Sequence, residues 1–357
     1  KFLLHSYSRG VHLRGGTPPG SLQRFPMVIR SSNWLGDAVM SVPAVKAIKA
    51  GRPDAHLAVL CREKLADLWR IVPEVDEVIP IGKRDGVLAT AARLRHRFEV
   101  GILFPNSLRS GLEMWLAGLP RRVGYAGHAR RWTLNQVAPE AAGALRAEHH
   151  VQRYLRLARW IGAPSETFDV AVPHRARDHQ SASDPALRIG LCAGAEYGPA
   201  KRWPAERFAR VASAVAQRRN CEWLLFGTRG DAPLADEIEQ RLDGHCRNLA
   251  GRTTLAGLID ELARCRALLT NDTGTMHLAS LLGVPTVAIF GSTEPALTGP
   301  LGRRHIVLRH QVECSPCFLR DCPLDFRCML AVEADEVVEA VLRLVSESAR
   351  HPAGNPA

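Results

Sequence analysis

The sequence lacks the features of several large protein classes. No stretch of its 357 residues approaches 18 uninterrupted apolar residues, the length of a membrane-spanning helix. Residues 1–26 lack the basic start, apolar centre and small-residue cleavage site of a signal peptide. The fingerprints G-x-G-x-x-G, G-x-x-x-x-G-K-[ST], H-E-x-x-H and G-x-S-x-G are also missing. We therefore expect neither export nor membrane spanning. The missing fingerprints favour a reaction that displaces a phosphate-bearing leaving group over hydride transfer, P-loop hydrolysis, or hydrolysis by a metal or a serine.

Lysine is scarce, although the chain is basic. Six lysines stand against 41 arginines, and together these 47 residues exceed the 36 Asp and Glu, which gives a formal net charge of +11. This excess predicts a polyanionic partner such as a nucleotide, a nucleic acid or an acidic membrane surface. The basic residues are scattered rather than gathered in runs, which disfavours nucleic acid. We expect no nucleic-acid partner.

The apolar pattern predicts an α/β protein of two units. The length is typical of two domains, and 46% apolar and 23% charged residues are typical of globular chains. Short apolar runs alternate with segments of helical period, which predicts parallel strands with crossover helices. The predicted strands lie at 27–30, 56–61, 77–81, 99–104, 188–193, 222–227, 267–271 and 285–290. The predicted helices include 38–50, 86–97, 205–219, 276–282 and 333–347.

These patterns divide the chain into six segments. They are a disordered leader at 1–26, a first α/β domain at 27–173, a linker at 174–186, a second α/β domain at 187–332, a C-terminal helix at 333–350 and a loose tail at 351–357. Met27 is the expected natural start. Parallel sheets bind ligands where their strands end, and two such units facing each other would enclose an interdomain cleft.

The loop after the first predicted strand contains Gly36 and Asp37. Gly36 permits a close approach of the backbone, and Asp37 stands at the mouth of the following helix. Asp37 is either a helix cap or a general base, which would have to lie within hydrogen-bonding reach of an attacking hydroxyl.

The loop at 193–204 places Lys201 and Arg202 on a turn just ahead of a helix. Lys201 is the only lysine in the second half of the chain. Two adjacent cations there form either a clamp for phosphate oxygens or a solvated surface pair.

The loop at 271–277 joins a predicted strand to a predicted helix. Free N–H groups at a helix start bind anions, and Thr273 adds a hydroxyl beside Gly274. We expect Asp272 to orient this loop. His277 is either a donor to the anion or, as its position alone favours, an ordinary helix residue.

Five segments carry a resemblance to a known family. They are NWLGDAVMSVPAVKAIK near the start, FPNSLRSG at 104–111, CAGAEYGPAKRWP at 192–204, NLAGRTTL at 248–255 and TNDTGTMHLASLLGVPTVAIFGST at 270–293. Over about residues 27–346 the chain resembles glycosyltransferase family 9, the ADP-heptose:lipopolysaccharide heptosyltransferases. The run AGAEYGPAKRWP is highly specific, whereas D-[ST]-G-x-x-H is family-wide and less selective.

The resemblance implies a GT-B fold, with the acceptor bound by the first Rossmann-like domain and ADP-heptose by the second. It also implies inverting transfer of L-glycero-D-manno-heptose from ADP-heptose to the first heptose of the lipopolysaccharide inner core on lipid A, with no cofactor required. Asp37 matches the catalytic base and Lys201 the lysine that holds the diphosphate. The implied donor-binding residues are Gly36, Asp231, Thr253, Asp272, Thr273, Gly274 and His277.

The resemblance also implies an acceptor site in the first domain. Its candidates are Asn106, Ser107, Arg109, Arg130 and Arg131, although each arginine taken singly also fits a solvated surface. Because the acceptor is a lipid and the chain is basic, we expect a cytoplasmic protein in peripheral contact with the inner face of the cytoplasmic membrane.

Four of the nine cysteines form a cluster. Cys314, Cys317, Cys322 and Cys328 make a C-x₂-C-x₄-C-x₅-C pattern. Four thiolates in such a run can hold a structural Zn or Fe ion, while free thiols and disulfides remain alternatives. Of these three alternatives, the spacing of the four cysteines favours metal binding.

Two other functions remain open. A sugar-nucleotide epimerase of similar fold would share the diphosphate clamp and need no acceptor. A non-enzymatic metal-binding protein would depend on the cysteine cluster and leave Asp37 and Lys201 dispensable. The run AGAEYGPAKRWP argues against both, because neither requires it.

Overall fold

The structure, a computed structural model, describes residues 25–127, 129–140, 148–164, 169–174, 187–242 and 244–350, with no side-chain description for 348–350. The chain divides into two units between Asp169 and Val170. The predictions for residues 1–24, for 175–186 and for the tail at 351–357 lie outside the described residues.

The first unit contains a parallel sheet in the order β3-β2-β1-β4-β5-β6. Its strands are β1 (Phe25–Arg30), β2 (Ala55–Arg62), β3 (Glu77–Ile81), β4 (Val100–Leu103), β5 (Arg121–Tyr125) and β6 (Gln136–Ala138). The β1 residues Met27–Arg30 are buried and pair with both β2 and β4. A strand paired on both sides has to be apolar on both faces, which explains the unbroken run Met-Val-Ile.

The helices of the first unit connect these strands. They are α1 (Leu35–Met40), α2 (Val42–Gly51), α3 (Ala66–Arg70), α4 (Val87–Leu94), α5 (Leu108–Leu116) and α6 (His150–Trp160). The predicted helix at 38–50 is divided at Ser41, because Pro43 has no N–H and opens a new helix as one of its first residues.

The second unit repeats the arrangement in the order β12-β11-β10-β7-β8-β9. Its strands are β7 (Leu187–Cys192), β8 (Cys221–Leu225), β9 (Cys246–Asn248), β10 (Ala267–Asn271), β11 (Thr286–Ile289) and β12 (His305–Leu308). Its helices are α7 (Ala205–Arg218), α8 (Ala232–Glu239), α9 (Leu255–Ala263), α10 (Gly274–Leu281), α11 (Pro295–Thr298), α12 (Arg327–Leu330) and α13 (Ala334–Arg350).

Amphipathic helices cover the second sheet. Phe208 and Val215 of α7 and Val337 and Val341 of α13 belong to one buried cluster with β7, β8, β10 and β11. Each full burial of such a side chain contributes about 1.5–3 kcal/mol. The eight predicted strands are present, and the α/β class with two parallel sheets is confirmed. Among the described residues, no helix combines the length and apolarity needed to cross a bilayer.

Candidate functional site

Each sheet has one point where the strand order reverses. In the first sheet β1 lies between β2 and β4, and in the second sheet β7 lies between β8 and β10. The loops that leave two such neighbouring strands run in opposite directions and open a crevice between them. The candidate residues in the loops after β1, β4, β7 and β10 therefore belong to these two crevices.

A pocket of about 370 Å³ occupies the crevice of the first unit. Its lining consists of Ser32, Asn33, Trp34, Asp37, Phe104, Pro105, Asn106, Ser107, His150, Arg153 and Tyr154. The structure thus brings the predicted base Asp37 together with the predicted acceptor residues Asn106 and Ser107. Ser107 also caps α5, because its Oγ accepts a hydrogen bond from Ser110 N.

Asp37 lies in the first turn of α1, three residues after Trp34, which is the N-cap residue without a side-chain cap bond. The pocket's α6 residue Tyr154 shares a hydrogen bond of 3.2 Å with Ser32 Oγ. Burial raises the pKa of the Tyr154 phenol, and the negative charge of Asp37 raises it further. The phenol and the Asp37 carboxylate line the same pocket.

A buried ion pair holds the loop after β1, which contributes to the lining of this pocket. Arg30, at the end of β1, donates from Nε to Glu113 at 2.9 Å, and Arg109 donates to the other Glu113 oxygen at 2.9 Å. Arg30 also donates to Ser31 O and to Asn33 Oδ1. The guanidinium therefore fixes the loop after β1, whereas the side chain of Arg109 is committed to Glu113 and to Asp85 O.

The structure separates the two neighbouring arginines of the predicted acceptor site. Arg130 is fully buried, and its guanidinium donates to the carbonyl oxygens of Pro105 and Tyr125 and to Asn106 Oδ1. It holds the 105–106 loop rather than facing solvent. Arg131 is exposed.

An ion pair joins the two loops of the second crevice. Lys201 Nζ donates to Asp272 Oδ2 at 2.6 Å, and Thr293 Oγ1 donates to the same oxygen at 2.7 Å. Asn271 Nδ2 donates to Ala193 O, and Trp203 N donates to Asn271 Oδ1. The predicted clamp lysine and the predicted orienting aspartate are thus in direct contact.

The start of α10 matches the predicted anion-binding loop in form. Thr273 is the N-cap, and its Oγ1 accepts from Thr275 N at 3.2 Å and from Met276 N at 3.4 Å. Gly274 is the first helical residue, and His277 is buried in the first turn.

The weaker donor candidates occupy other positions. Asp231 accepts from Thr228 N and Oγ1 and from Arg202, and a Cβ at Gly194 would lie 2.5 Å from its Oδ1. Asp231 therefore packs beneath the loop after β7. Thr253 is half-buried just before the α9 cap, and among the described residues no hydrogen bond joins it to Lys201 or Asp272.

The cysteine-rich segment, residues 314–328, packs on the loops after β7 and β11. Phe318 N donates to Ser292 O at 2.8 Å, and Ser315 Oγ donates to Gly291 O. Burial raises the pKa of Cys328, and the nearby sulfurs of Cys314, Cys317 and Cys322 raise it further. Within the described residues no three His, Cys, Asp or Glu side chains could share a metal ion, so this arrangement does not support the expected Zn or Fe.

Sequence reasoning missed several residues of both crevices. These residues are Trp34, His150, Arg153, Tyr154, Tyr197 and Thr293. Tyr197 lies inside the AGAEYGPAKRWP run and could have been singled out there. The residues of α6 carry no local signal, because a helix more than 110 positions from Asp37 reaches the pocket only through the fold.

Comparison with known proteins decides the family. The family profile described as glycosyltransferase family 9 (heptosyltransferase) matches residues 87–326. The chain belongs to this family. Lipopolysaccharide heptosyltransferase 2 of Escherichia coli K12 is 32% identical over 305 residues, covering 79% of this chain and 87% of that protein. Lipooligosaccharide heptosyltransferase 2 of Haemophilus influenzae is 30% identical over 308 residues, covering 79% and 88%.

The likeness to a solved structure extends over nearly the whole of this chain. The structure of E. coli ADP-heptose LPS heptosyltransferase II has a TM-score of 0.78 and 28% identity, covering 91% of this chain and 100% of that one. This likeness confirms the predicted GT-B class, and family membership confirms the prediction of a glycosyltransferase.

Proposed function

We propose that this glycosyltransferase moves L-glycero-D-manno-heptose from ADP-heptose to the first heptose of the lipopolysaccharide inner core, with inversion at the anomeric carbon. The observation that carries this proposal is the pair of crevices. One holds a carboxylate in a pocket with hydroxyl, amide and aromatic groups. The other holds Lys201, bonded to Asp272 just ahead of the α10 start, whose free N–H groups suit phosphate. The names of the relatives, heptosyltransferase 2 and ADP-heptose heptosyltransferase II, support this choice of donor and acceptor.

In the proposed reaction Asp37 accepts the proton of the acceptor hydroxyl. The hydroxyl oxygen forms a bond to the anomeric carbon while the bond from that carbon to the β-phosphate oxygen breaks. ADP leaves with the electron pair, and Lys201 together with the N–H groups at the start of α10 offsets the charge that develops on it. One base and one cationic site suffice for a single inversion.

No metal takes part in this proposed reaction. The four cysteines lie in the segment that packs on the loop carrying Lys201, and we assign them no role in the chemistry. Metal analysis of the purified protein, followed by transfer assays after chelation, tests this point. Metal bound in equal amount to protein, with activity lost on its removal, would contradict it.

The main test is transfer of heptose from ADP-heptose to heptosyl-Kdo2-lipid A, read by mass spectrometry. Asp37→Asn keeps the size of the side chain and removes the base, so we expect transfer to fall by a factor of about 10²–10⁴. ADP binding stays unchanged, because Asp37 belongs to the first unit. The matched control is Asp67→Asn, a carboxylate of α3 whose hydrogen bond to Arg70 is exposed.

Three outcomes distinguish the candidate functions. Addition of one heptose by the unmodified protein and the control, but almost none by Asp37→Asn, supports the transfer and the base. Conversion of a sugar nucleotide without any acceptor would favour the epimerase. Equal transfer by the two variants would contradict the assignment of Asp37.

We further propose that the protein works in the cytoplasm, in peripheral contact with an anionic leaflet. An exposed apolar face of the first unit supports the membrane contact in this proposal. The tryptophan face consists of the exposed Leu108, Trp115 and Leu116 and the half-buried Leu112 on α5, together with the exposed Trp132. The α5 positions recur at i, i+4, i+7 and i+8, and the Trp115 and Trp132 rings pack edge-on with centroids 5.4 Å apart. Trp115 is 43% and Trp132 58% exposed.

The surroundings of the tryptophan face fit a lipid headgroup layer. Tryptophan is enriched at membrane interfaces, and the exposed Arg131 beside Trp132 offers a positive charge to anionic lipid. The face begins at Leu108, directly after Asn106 and Ser107 of the pocket. A membrane at this face would therefore lie next to the proposed acceptor pocket.

Vesicle co-sedimentation of the full chain tests this contact. We expect more binding to phosphatidylcholine vesicles that contain phosphatidylglycerol than to phosphatidylcholine alone, and loss of most binding in the double variant Trp115→Ser, Trp132→Ser. The control is Leu324→Ser, which changes an exposed leucine of the second unit. Equal binding by both variants, or a dimer that only the double variant dissociates, would overturn the assignment of this face.

A further inference from the structure

The cysteine-rich segment carries an arginine beside the proposed donor site that has no assigned role. The guanidinium carbon of Arg320 lies 5.6 Å from the centroid of the Tyr197 ring. Lys201 Nζ lies 4.8 Å from the same centroid. Cations within about 6 Å of an aromatic face are attracted by the ring. The Tyr197 ring thus has a second cation near it besides the lysine of the phosphate site.

Backbone contacts fix the position of Arg320. Ala200 N donates to Arg320 O at 3.0 Å, and Tyr197 Oη donates to Phe318 O at 2.7 Å. A Cβ at Gly198 would lie 2.4 Å from Arg320 O, so the loop can approach the segment this closely only with glycine at that position. The cysteine-rich segment is therefore packed firmly against the 197–200 loop, and the backbone of Arg320 is bonded directly to that loop.

The charges of this region leave Arg320 available to an anion. Lys201 pairs with Asp272 at 2.6 Å, and Arg202 lies 3.4 Å from Asp231. Within the described part of the chain, the guanidinium of Arg320 makes no ion pair with a carboxylate, and the side chain is exposed. Two like charges that share one ring repel each other, and an anion bound between them relieves that repulsion.

We propose that Arg320 binds the diphosphate of the nucleotide donor, with the Tyr197 ring holding its guanidinium next to Lys201. This inference rests on the proposed function, because it takes ADP-heptose as the ligand. The planar guanidinium can donate two parallel hydrogen bonds to phosphate oxygens. As ADP leaves, negative charge grows on the β-phosphate, and a second cation stabilises it.

Calorimetric titration of the full chain with ADP, AMP and adenosine tests the proposal. We expect the Kd for ADP to rise about tenfold in Arg320→Gln, the weakening that loss of one charge-assisted hydrogen bond produces. The Kd for AMP rises less, and binding of adenosine does not change. Arg320→Lys recovers part of the affinity for ADP. The matched control Arg343→Gln removes an exposed arginine of α13 and binds ADP like the unmodified protein.

Several results would overturn the proposal. One is an equal Kd for ADP in Arg320→Gln and Arg343→Gln, and another is adenosine binding weakened as much as ADP binding, which indicates a structural role. If Arg320→Gln fails to fold, Arg320→Lys and Tyr197→Leu take its place, and unchanged ADP binding in both contradicts the inference.

The proposed function fails separately, because ADP binding needs no acceptor. A protein that binds ADP through Arg320 but transfers no heptose would contradict the transfer alone. A protein that transfers heptose while Arg320→Gln binds ADP normally would contradict this inference alone.

Discussion

The two units share one strand order but place their charges differently. In the first unit the charged side chains are buried and hold the crevice loops: Arg30 and Glu113 are almost fully buried, and Arg130 holds the 105–106 loop. In the second unit the ion pair of Lys201 and Asp272 joins the loops of the crevice itself. One topology thus gives a shaped pocket with a single carboxylate in one unit and a cationic loop in the other.

This difference shows how function attaches to the fold. The sheet determines where the loops end, and the residues at those ends determine the chemistry. In the first unit buried charges hold the lining in place. In the second unit the charges belong to the site, and the cysteine-rich segment adds a further support that the first unit does not have among its described residues.

The largest expected effect tests the buried charges of the first unit. Glu113→Gln leaves the buried Arg30 guanidinium without its ionic partner, so we expect the free energy of unfolding to fall by about 3–5 kcal/mol. Denaturant unfolding measures this change. The control Glu339→Gln breaks an exposed ion pair with Arg218 and costs below about 1 kcal/mol. If both variants unfold at the same denaturant concentration, the first pocket does not depend on buried charge.

A smaller effect tests the support of the second crevice. Gly198→Ala places a methyl group against Arg320 O, so the cysteine-rich segment or the loop has to move. Such overpacking costs about 1–3 kcal/mol, and we expect ADP binding to weaken at least about fivefold. The control is Gly86→Ala, because a Cβ at Gly86 meets no atom within 4 Å. Unchanged ADP affinity in Gly198→Ala would mean that the segment does not support the donor loop.

Most of the fold could be predicted from the apolar pattern. Strands such as β1, β7 and β10 are buried on both faces over most of their length, so each contains a short apolar run. Four strands were not predicted. The β6, β9 and β12 strands have only three or four residues and lie at sheet edges, and β5 begins with two arginines, so none shows a clear run.

The candidate site was predictable only where loop chemistry follows a strand. Lys201 and Asp272 lie in such loops and Asp37 lies in the helix turn just after one, and the structure brings each of them to a crevice. The burial of individual arginine side chains could not be predicted in the same way. Arg130 and Arg131 are neighbours of the same type, yet only Arg130 turns inward, because the partners that receive its guanidinium come from distant loops.

The smallest expected effect concerns the pocket beside Asp37. Tyr154→Phe removes only the hydroxyl that shares a hydrogen bond with Ser32, so we expect a loss of about 1 kcal/mol in stability. Burial and the charge of Asp37 raise the pKa of Tyr154, so its phenol stays neutral to higher pH than an ordinary tyrosine. The basic limb of the rate profile between about pH 6 and 10 should therefore be the same in Tyr154→Phe as in the unmodified protein.

The control for this profile is Tyr125→Phe, which removes a second buried phenol of the same unit, one that donates to Arg153 O rather than to Ser32. Burial also raises the pKa of Tyr125, so neither substitution should move the basic limb. A basic limb that disappears only in Tyr154→Phe would mean that Tyr154 ionises during turnover. The pocket would then hold an ionising phenol beside the Asp37 carboxylate, and the contrast between the two crevices would be smaller than the geometry indicates.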